Sequence, residues 1–366
     1  TTTGGTTSTA GGDFTATAST SMANSSAYQS NGVTYNIGGK FSVNVATSGA
    51  AEWGFSTSTY LSTSPITAFG DLSITATSTA AALSAANLHV SSALTSTTGS
   101  VTLANTSTGA LSTNGVGALA ITAAVSGATG VTITNSSAHT ATASSQLGIN
   151  STATSAITSS LGAISISSTT NSTAFPVSLL GPLSARTGIT ISATGATTTT
   201  VATLSAITLT GAGSNLSVTA NNTAAGANSG IRALGAISLA SGSGLSFVTN
   251  NLITVNGAIS VAANNTGSSA NLVFDTSTGT NASSVSLNGA ITTVAVGSNQ
   301  SGLRVHTKGA PISTTAGISL TGLIDFNNTV GLGVGVANAA DGISLSGVLT
   351  STSGDITLIG RSSGAQ

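Results

Sequence analysis

Cysteine is absent from this chain, so neither a disulfide framework nor thiolate chemistry is available to it. Charge is nearly absent too. Only 4% of the 366 residues are Asp, Glu, Lys or Arg, against roughly 25% in an ordinary globular domain. The six basic residues, Lys40, Arg186, Arg232, Arg304, Lys308 and Arg361, are scattered. That excludes the clustered cations a phosphate backbone requires and those an anionic membrane surface requires. No nucleic acid partner is expected. The longest clean apolar run, 330–337, is far short of the roughly 20 residues of a membrane-spanning helix, so no transmembrane segment is expected. Aromatic residues amount to 3%, with a single Trp, which excludes a thick aromatic core. Thr1 opens the chain without a basic start, an apolar leader or a Met, and it reads as a processed or excised product.

The chemistry of most enzymes is missing as well. No phosphate-cradling loop, nucleophile elbow or Cys/His cluster occurs. His89 and His139 have no partner at metal-ligand spacing, so no metal and no cofactor is expected. The seven acidic residues are Asp13, Glu52, Asp71, Asp275, Asp325, Asp341 and Asp355. A glycosidase needs carboxylates converging on one cleft. Asp71, Asp341 and Asp355 instead each precede a β-type run, where an aspartate closes a turn. The chain is not expected to be an enzyme.

What remains is hydroxyl and small aliphatic. Ser and Thr supply 127 residues, about 35%, and mean hydropathy is positive at +0.40. Disordered chains usually depart from the average toward high charge and low hydropathy, the opposite direction. The stretch 234–263 carries the organising rhythm. Gly235-Ala-Ile-Ser-Leu is followed by Leu245-Ser-Phe-Val and then Gly257-Ala-Ile-Ser-Val. Each unit is a short run in which apolar and hydroxyl residues alternate, and each ends in Ser, Asn or Gly. The isoleucine of the Ala-Ile or Gly-Ile unit recurs at 164, 189, 207, 237, 259, 318 and 343, with Ile356 in Asp355-Ile-Thr-Leu. An imperfect period in the twenties with two or three strands per period predicts an all-β fold, a parallel β-helix or β-solenoid. A β-sandwich array is the alternative.

Alternation places Ile237 and Leu239 on one face and Ser238 on the other. Stacked coils then bring Ile over Ile inside and leave Ser and Thr to the exterior or to corner backbone. Gly and Asn at corners are read as suppliers of left-handed conformations. Asn221-Asn222, Asn250-Asn251 and Asn264-Asn265 are read as stacked amide ladders.

Three regions are expected. Residues 1–12 lack a hydrophobic period and read as a flexible or partner-pairing tail. Residues 13–70 hold Trp53, Tyr28, Tyr35, Tyr60 and half of the phenylalanines, and read as an N-terminal cap or head. Within it, 32–38 and 40–46 read as a β-hairpin turned by Gly38-Gly39. Residues 71–366 read as a solenoid of irregular 20–30-residue coils.

Two candidate contact sites emerge. Arg304, His306 and Lys308 alternate, share one face of a strand, and form the densest cationic point, a candidate anion or glycan contact. Gly331, Gly333 and Gly335 leave one face of a strand bare, so another backbone can approach. With Trp53 and Tyr60 they are the candidate subunit contacts.

The Gly-Ala-Ile-Ser-Leu and Gly-Asp-Ile-Thr-Leu units over roughly 70–360 resemble filamentous-haemagglutinin-type exoproteins and related β-helical adhesins. The resemblance implies a secreted right-handed β-helix that forms surface fibres or adheres to cells and glycans. The family's Asn-Pro-Asn-Gly secretion motif is missing, since none of Pro65, Pro176, Pro182 and Pro311 follows an Asn. A solvent face of Ser, Thr and Asn points to an extracellular setting. The expected function is an extracellular structural protein, a self-assembling surface fibre or surface-layer subunit, with copies of itself as partners. A cell- or glycan-binding adhesin is the alternative. An ice-binding protein would need Thr-X-Thr rows on successive coils, of which Thr132/Thr134 is one. A polysaccharide-degrading enzyme lacks its acid cluster.

Overall fold

The isoleucine columns decide the architecture. In the computed structural model, Ile237 lies in register with Ile207 on one side and Ile259 on the other, and Ile259 with Ile291. All four are buried. The ladders between named strands are parallel, and no helix occurs among the described residues. The chain is a parallel β-solenoid. Antiparallel Greek-key pairing, on which the sandwich alternative depended, is not found in these ladders.

The structure describes residues 7–22, 27–30, 33–49, 55–56, 65–79, 82–83, 87–108, 111–112, 118–138, 140–141, 148–171, 175–195, 200–223, 229–262, 271–279, 283–294, 302–330 and 342–361. Contacts divide the chain into two units, Thr1–Ala185 with Ala193–Thr197, and Arg186–Ser192 with Thr198–Gln366.

Each coil of the first unit contributes a strand to each of three sheets. The long sheet stacks Phe14–Thr20, Phe41–Thr47, Leu72–Ser78, Ser100–Ser107, Gly130–Ser137 and Ala163–Thr170. A second sheet runs from Thr7–Ala10 through Thr34–Ile37 and Ile66–Ala68 to Leu183–Ala185, and a third from Tyr28–Gln29 to Val177–Leu179. Coils vary in length, from the 27 residues between the partners Phe14 and Phe41 to the 33 between Val131 and Ile164. The spare residues fall between strands, so the ladder register survives the variation.

Two expectations for the N-terminal region are corrected. Thr34–Ile37 and Phe41–Thr47 do not form a hairpin. They belong to different sheets, the first pairing with Thr7–Ala10 and the second with Phe14–Thr20. Gly38-Gly39 is a coil corner. Gly38 N–H donates to the Ala10 carbonyl at 2.7 Å and Gly39 N–H to that of Gly12 at 3.1 Å, so the turn bonds to the preceding coil and not across itself. Thr7–Ala10, within the expected tail, is therefore a strand. The aromatic residues fill the core at this end. The rings of Phe14 and Phe41 stack with centroids 4.9 Å apart, and Tyr35 meets Phe41 edge-on at 5.7 Å. The Tyr28 hydroxyl donates to that of Tyr35 at 3.1 Å. Burial first, and then this bond, pushes the Tyr28 phenol well above its ordinary range.

The second unit repeats the plan. Its long sheet runs from Asn215–Asn222 through Gly244–Thr249, Asn271–Asp275, Gly302–His306 and Ile324–Asn327 to Ile356–Ile359. Phe247 and Phe274 are in register and meet edge-on, with centroids 5.5 Å apart.

The Gly of the Gly-Ala-Ile-Ser unit has a different role from the one expected. Among the described glycines a positive φ falls at Gly188, Gly213, Gly242 and Gly309, not at Gly235, Gly257 or Gly289. At Gly257 a Cβ would collide with the backbone of Gly235, and at Gly289 with that of Gly257. Here glycine provides room for one coil to lie on the next, and its conformational freedom is not used.

Candidate functional site

Three places in the fold concentrate polar groups: the cationic strand, an interior amide ladder and the coil corners.

Arg304 and His306 lie on the outer face of Gly302–His306, opposite the buried Leu303 and Val305, as the alternation implies. The strand is flanked by acid. In the ladder Arg304 pairs with Asp325, and His306 pairs with Asp275 on its other side. Asp325 Oδ2 lies 3.6 Å from Arg304 Nε and 3.1 Å from His306 Nε2. The cationic point is thus a mixed cluster in which one carboxylate oxygen serves both Arg304 and His306. Lys308 stands beyond the strand end, in an isolated antiparallel bridge to Thr329. Cross-strand neutralisation weakens the attraction such a face would exert on an anion. Sequence spacing could not reveal this, because Asp325 is brought in by the next coil.

The interior ladder went unrecognised in the sequence. Asn87, Asn105 and Asn135 are buried. Asn87 Nδ2 donates to Asn105 Oδ1 at 2.7 Å, Asn105 Nδ2 to Asn135 Oδ1 at 2.7 Å, and Asn135 Nδ2 to Ser168 Oγ at 3.1 Å. The signal was present: Asn105 is in phase with Val101 and Leu103, and Asn135 with Val131 and Ile133. Ser107, Ser137 and Thr170 continue the same inward phase, so not every hydroxyl faces out. The expected ladder at Asn250 takes another form. Asn250 Oδ1 accepts the Asn222 N–H at 2.9 Å and its Nδ2 donates to the Asn222 carbonyl at 2.7 Å, so the amide bonds to backbone. Asn264 and Asn265 lie outside the described residues.

The corners carry two recurring devices. In Leu94-Thr-Ser-Thr-Thr-Gly, Ser96 Oγ accepts the Gly99 N–H at 3.0 Å and donates to the Gly70 carbonyl of the preceding coil at 2.6 Å. In Leu349-Thr-Ser-Thr-Ser-Gly, Ser351 Oγ does the same with the Gly354 N–H at 3.0 Å and the Gly322 carbonyl at 2.8 Å. The second device occupies the position just before the long strand. Asp13 Oδ1 accepts the Lys40 N–H at 2.8 Å, Asp71 Oδ1 the Ser100 N–H at 3.0 Å, and Asn215 Oδ1 the Gly244 N–H at 3.2 Å. Each side-chain oxygen takes the N–H of the matching residue one coil later. The Ser100 backbone bond is the first cause of a lowered Asp71 carboxyl pKa, with Lys40, whose Nζ is 3.5 Å away, a smaller one.

Asp355 stands at this same position in the last described coil and is exposed. Ile356 and Leu358 lie in register with the buried Ile324 and Phe326, and Ile343–Leu345, Leu349–Ser351 and Ile356–Ile359 are the last described strands of their three sheets.

Of the residues singled out as subunit contacts, Trp53, Tyr60, Gly331, Gly333 and Gly335 lie outside the described residues, as do Glu52, His139 and Asp341. No group of three or more metal-ligating side chains occurs among the described residues, and no described helix is long and apolar enough to cross a membrane. Thr-X-Thr rows do not run on from coil to coil: Thr132 and Thr134 lie between Thr102/Ala104 and Ser165/Ser167. Comparison of the chain with protein-family models, with curated proteins and with solved structures found no match.

Proposed function

We propose that this chain is an extracellular structural protein that assembles with copies of itself into a surface fibre. The observation that carries the reading is the parallel ladder repeated coil on coil within each unit, with an outer face of Ser, Thr and Asn and few charges. Coils of this kind hold one another by strand pairing, and contacts that repeat end to end between identical chains are heterologous and grow filaments. The resemblance to filamentous-haemagglutinin-type exoproteins, and an exterior of hydroxyls in place of charges, agree with a secreted fibre element.

The test is electron microscopy of the purified chain across a concentration series, with sedimentation velocity in parallel. Filaments or end-to-end multimers that grow with concentration are expected. Dispersed monomers at high concentration would defeat the reading.

A further inference from the structure

We propose that Asn256 is a deamidation site in the folded chain, its side-chain amide displaced by the backbone nitrogen of Gly257, and that the fold shields Asn288 from the same reaction. The proposal goes beyond the assembly reading and does not depend on it.

The two sites are a matched pair. The sequences Val255-Asn-Gly-Ala-Ile-Ser and Leu287-Asn-Gly-Ala-Ile-Thr are nearly identical. They turn the same corner one coil apart, with Val255 in register with Leu287 and Ile259 with Ile291. An Asn-Gly pair is open to this chemistry because a residue without a Cβ leaves its nitrogen unhindered and its backbone permissive. Stacking imposes the glycine here. A Cβ at Gly257 would meet the Gly235 backbone, and one at Gly289 that of Gly257. Both asparagines are exposed.

Hydrogen bonding separates them. The nucleophile is the nitrogen of the following glycine. Gly289 N–H donates to the Val255 carbonyl at 3.3 Å, and Gly289 is buried. Gly257 N–H meets no acceptor among the described residues, and Gly257 is partly exposed. The leaving group is the side-chain nitrogen. Asn288 Nδ2 donates to Asn256 Oδ1 at 2.9 Å, whereas Asn256 Nδ2 donates to nothing among the described residues. Asn288 Oδ1 accepts in turn from Thr315 Oγ1 at 3.4 Å, so polarisation of the carbonyl is common to both sites. The difference lies with the two nitrogens, both free at Asn256 and both engaged at Asn288.

The reaction balances without a cofactor. The Gly257 nitrogen gives up its proton and attacks Asn256 Cγ. The N–Cγ bond forms, the Cγ–Nδ2 bond breaks, and the amide nitrogen leaves with that proton as ammonia. The resulting succinimide takes up one water, and opening of either C–N bond gives aspartate or isoaspartate. The aspartate keeps the ladder, because its carboxylate accepts the Asn288 N–H in a charge-assisted bond. Isoaspartate adds a methylene to the main chain at a corner where Gly257 lies against Gly235, and so displaces the stack. Either product puts a new charge on a chain with only 4% charged residues.

The wild-type chain tests this. It is incubated at mildly alkaline pH, folded in buffer and unfolded in urea, and followed by peptide mass spectrometry with isoaspartate detection. In the folded chain, conversion at Asn256 should outrun that at Asn288 by about tenfold or more, since freeing each nitrogen from an ordinary hydrogen bond is worth a factor of roughly two to ten. In urea the two rates should become equal, because the local sequences match. Equal rates in the folded chain, faster conversion at Asn288, or no conversion at Asn256 would overturn the proposal. A preference for Asn256 that persists in urea would overturn it as well, by assigning the difference to sequence and not to the fold.

Discussion

Replacing Asn105 by leucine tests whether the interior amides hold the coils or merely occupy space. The side chain is 2% exposed and makes two 2.7 Å amide bonds, one received from Asn87 and one given to Asn135. Each such bond contributes about 0.5–1.5 kcal/mol net, and a buried donor stripped of its acceptor costs about 1–3 kcal/mol. Leucine has a similar shape and recovers roughly 1.5 kcal/mol of apolar burial. The balance is a loss of about 1–3 kcal/mol for Asn105→Leu. The triple replacement of Asn87, Asn105 and Asn135 by leucine removes the donors and acceptors of the ladder together and leaves Thr47, Ser107 and Ser168 without their amide. It should therefore cost clearly less than the sum of the three single changes. Because repeat folds are stabilised coil by coil, native-state hydrogen exchange of Ser100–Ser107 and its two flanking strands is the right assay, with urea unfolding as a check. A single variant within about 0.3 kcal/mol of wild type would refute the reasoning, and so would a triple variant equal to the sum.

Three further outcomes are expected. Ile237→Ala opens a cavity between Ile207 and Ile259, all three buried, and should cost about 2–5 kcal/mol in urea or thermal unfolding. Gly257→Ala should destabilise by more than the helix- or strand-propensity scale allows, because its Cβ meets the Gly235 backbone. Gly213→Ala should also destabilise, but through its positive φ and with open space around it, so only Gly257→Ala should alter exchange in the adjoining coil. Two groups contribute to the acid response. Burial lowers the His89 pKa, so the folded chain resists its protonation and stability should fall as pH drops below about 6.5, a drop that His89→Asn removes. The lowered Asp71 carboxyl acts further down: its contribution is complete above about pH 4 and is lost as pH falls through its folded value, a loss that Asp71→Asn removes.

The fold was legible because its rule is local. In Gly235-Ala-Ile-Ser-Leu the inward phase, the outward hydroxyl and the corner glycine all fall within five residues, and copies of the unit stack whatever lies between them. The hairpin error at Gly38-Gly39 has the same origin. Two alternating runs joined by a tight glycine turn look alike whether the second run folds back or turns a corner. The ladder partners distinguish the two: Thr7–Ala10 and Phe14–Thr20 one coil earlier, and Ile66–Ala68 and Leu72–Ser78 one coil later. The acid beside the cationic strand was hidden for a related reason, since Asp325 reaches Arg304 and His306 across a ladder and not along the chain.

The column before the long strand joins these points. Its occupants Asp13, Lys40, Asp71 and Ser100 look unrelated in sequence, yet Asp13 holds the Lys40 N–H and Asp71 that of Ser100. An oxygen there is useful only if another coil follows. Asn215 shows that the column requires an acceptor and not a charge, since its amide oxygen takes the Gly244 N–H as the carboxylates of Asp13 and Asp71 take theirs.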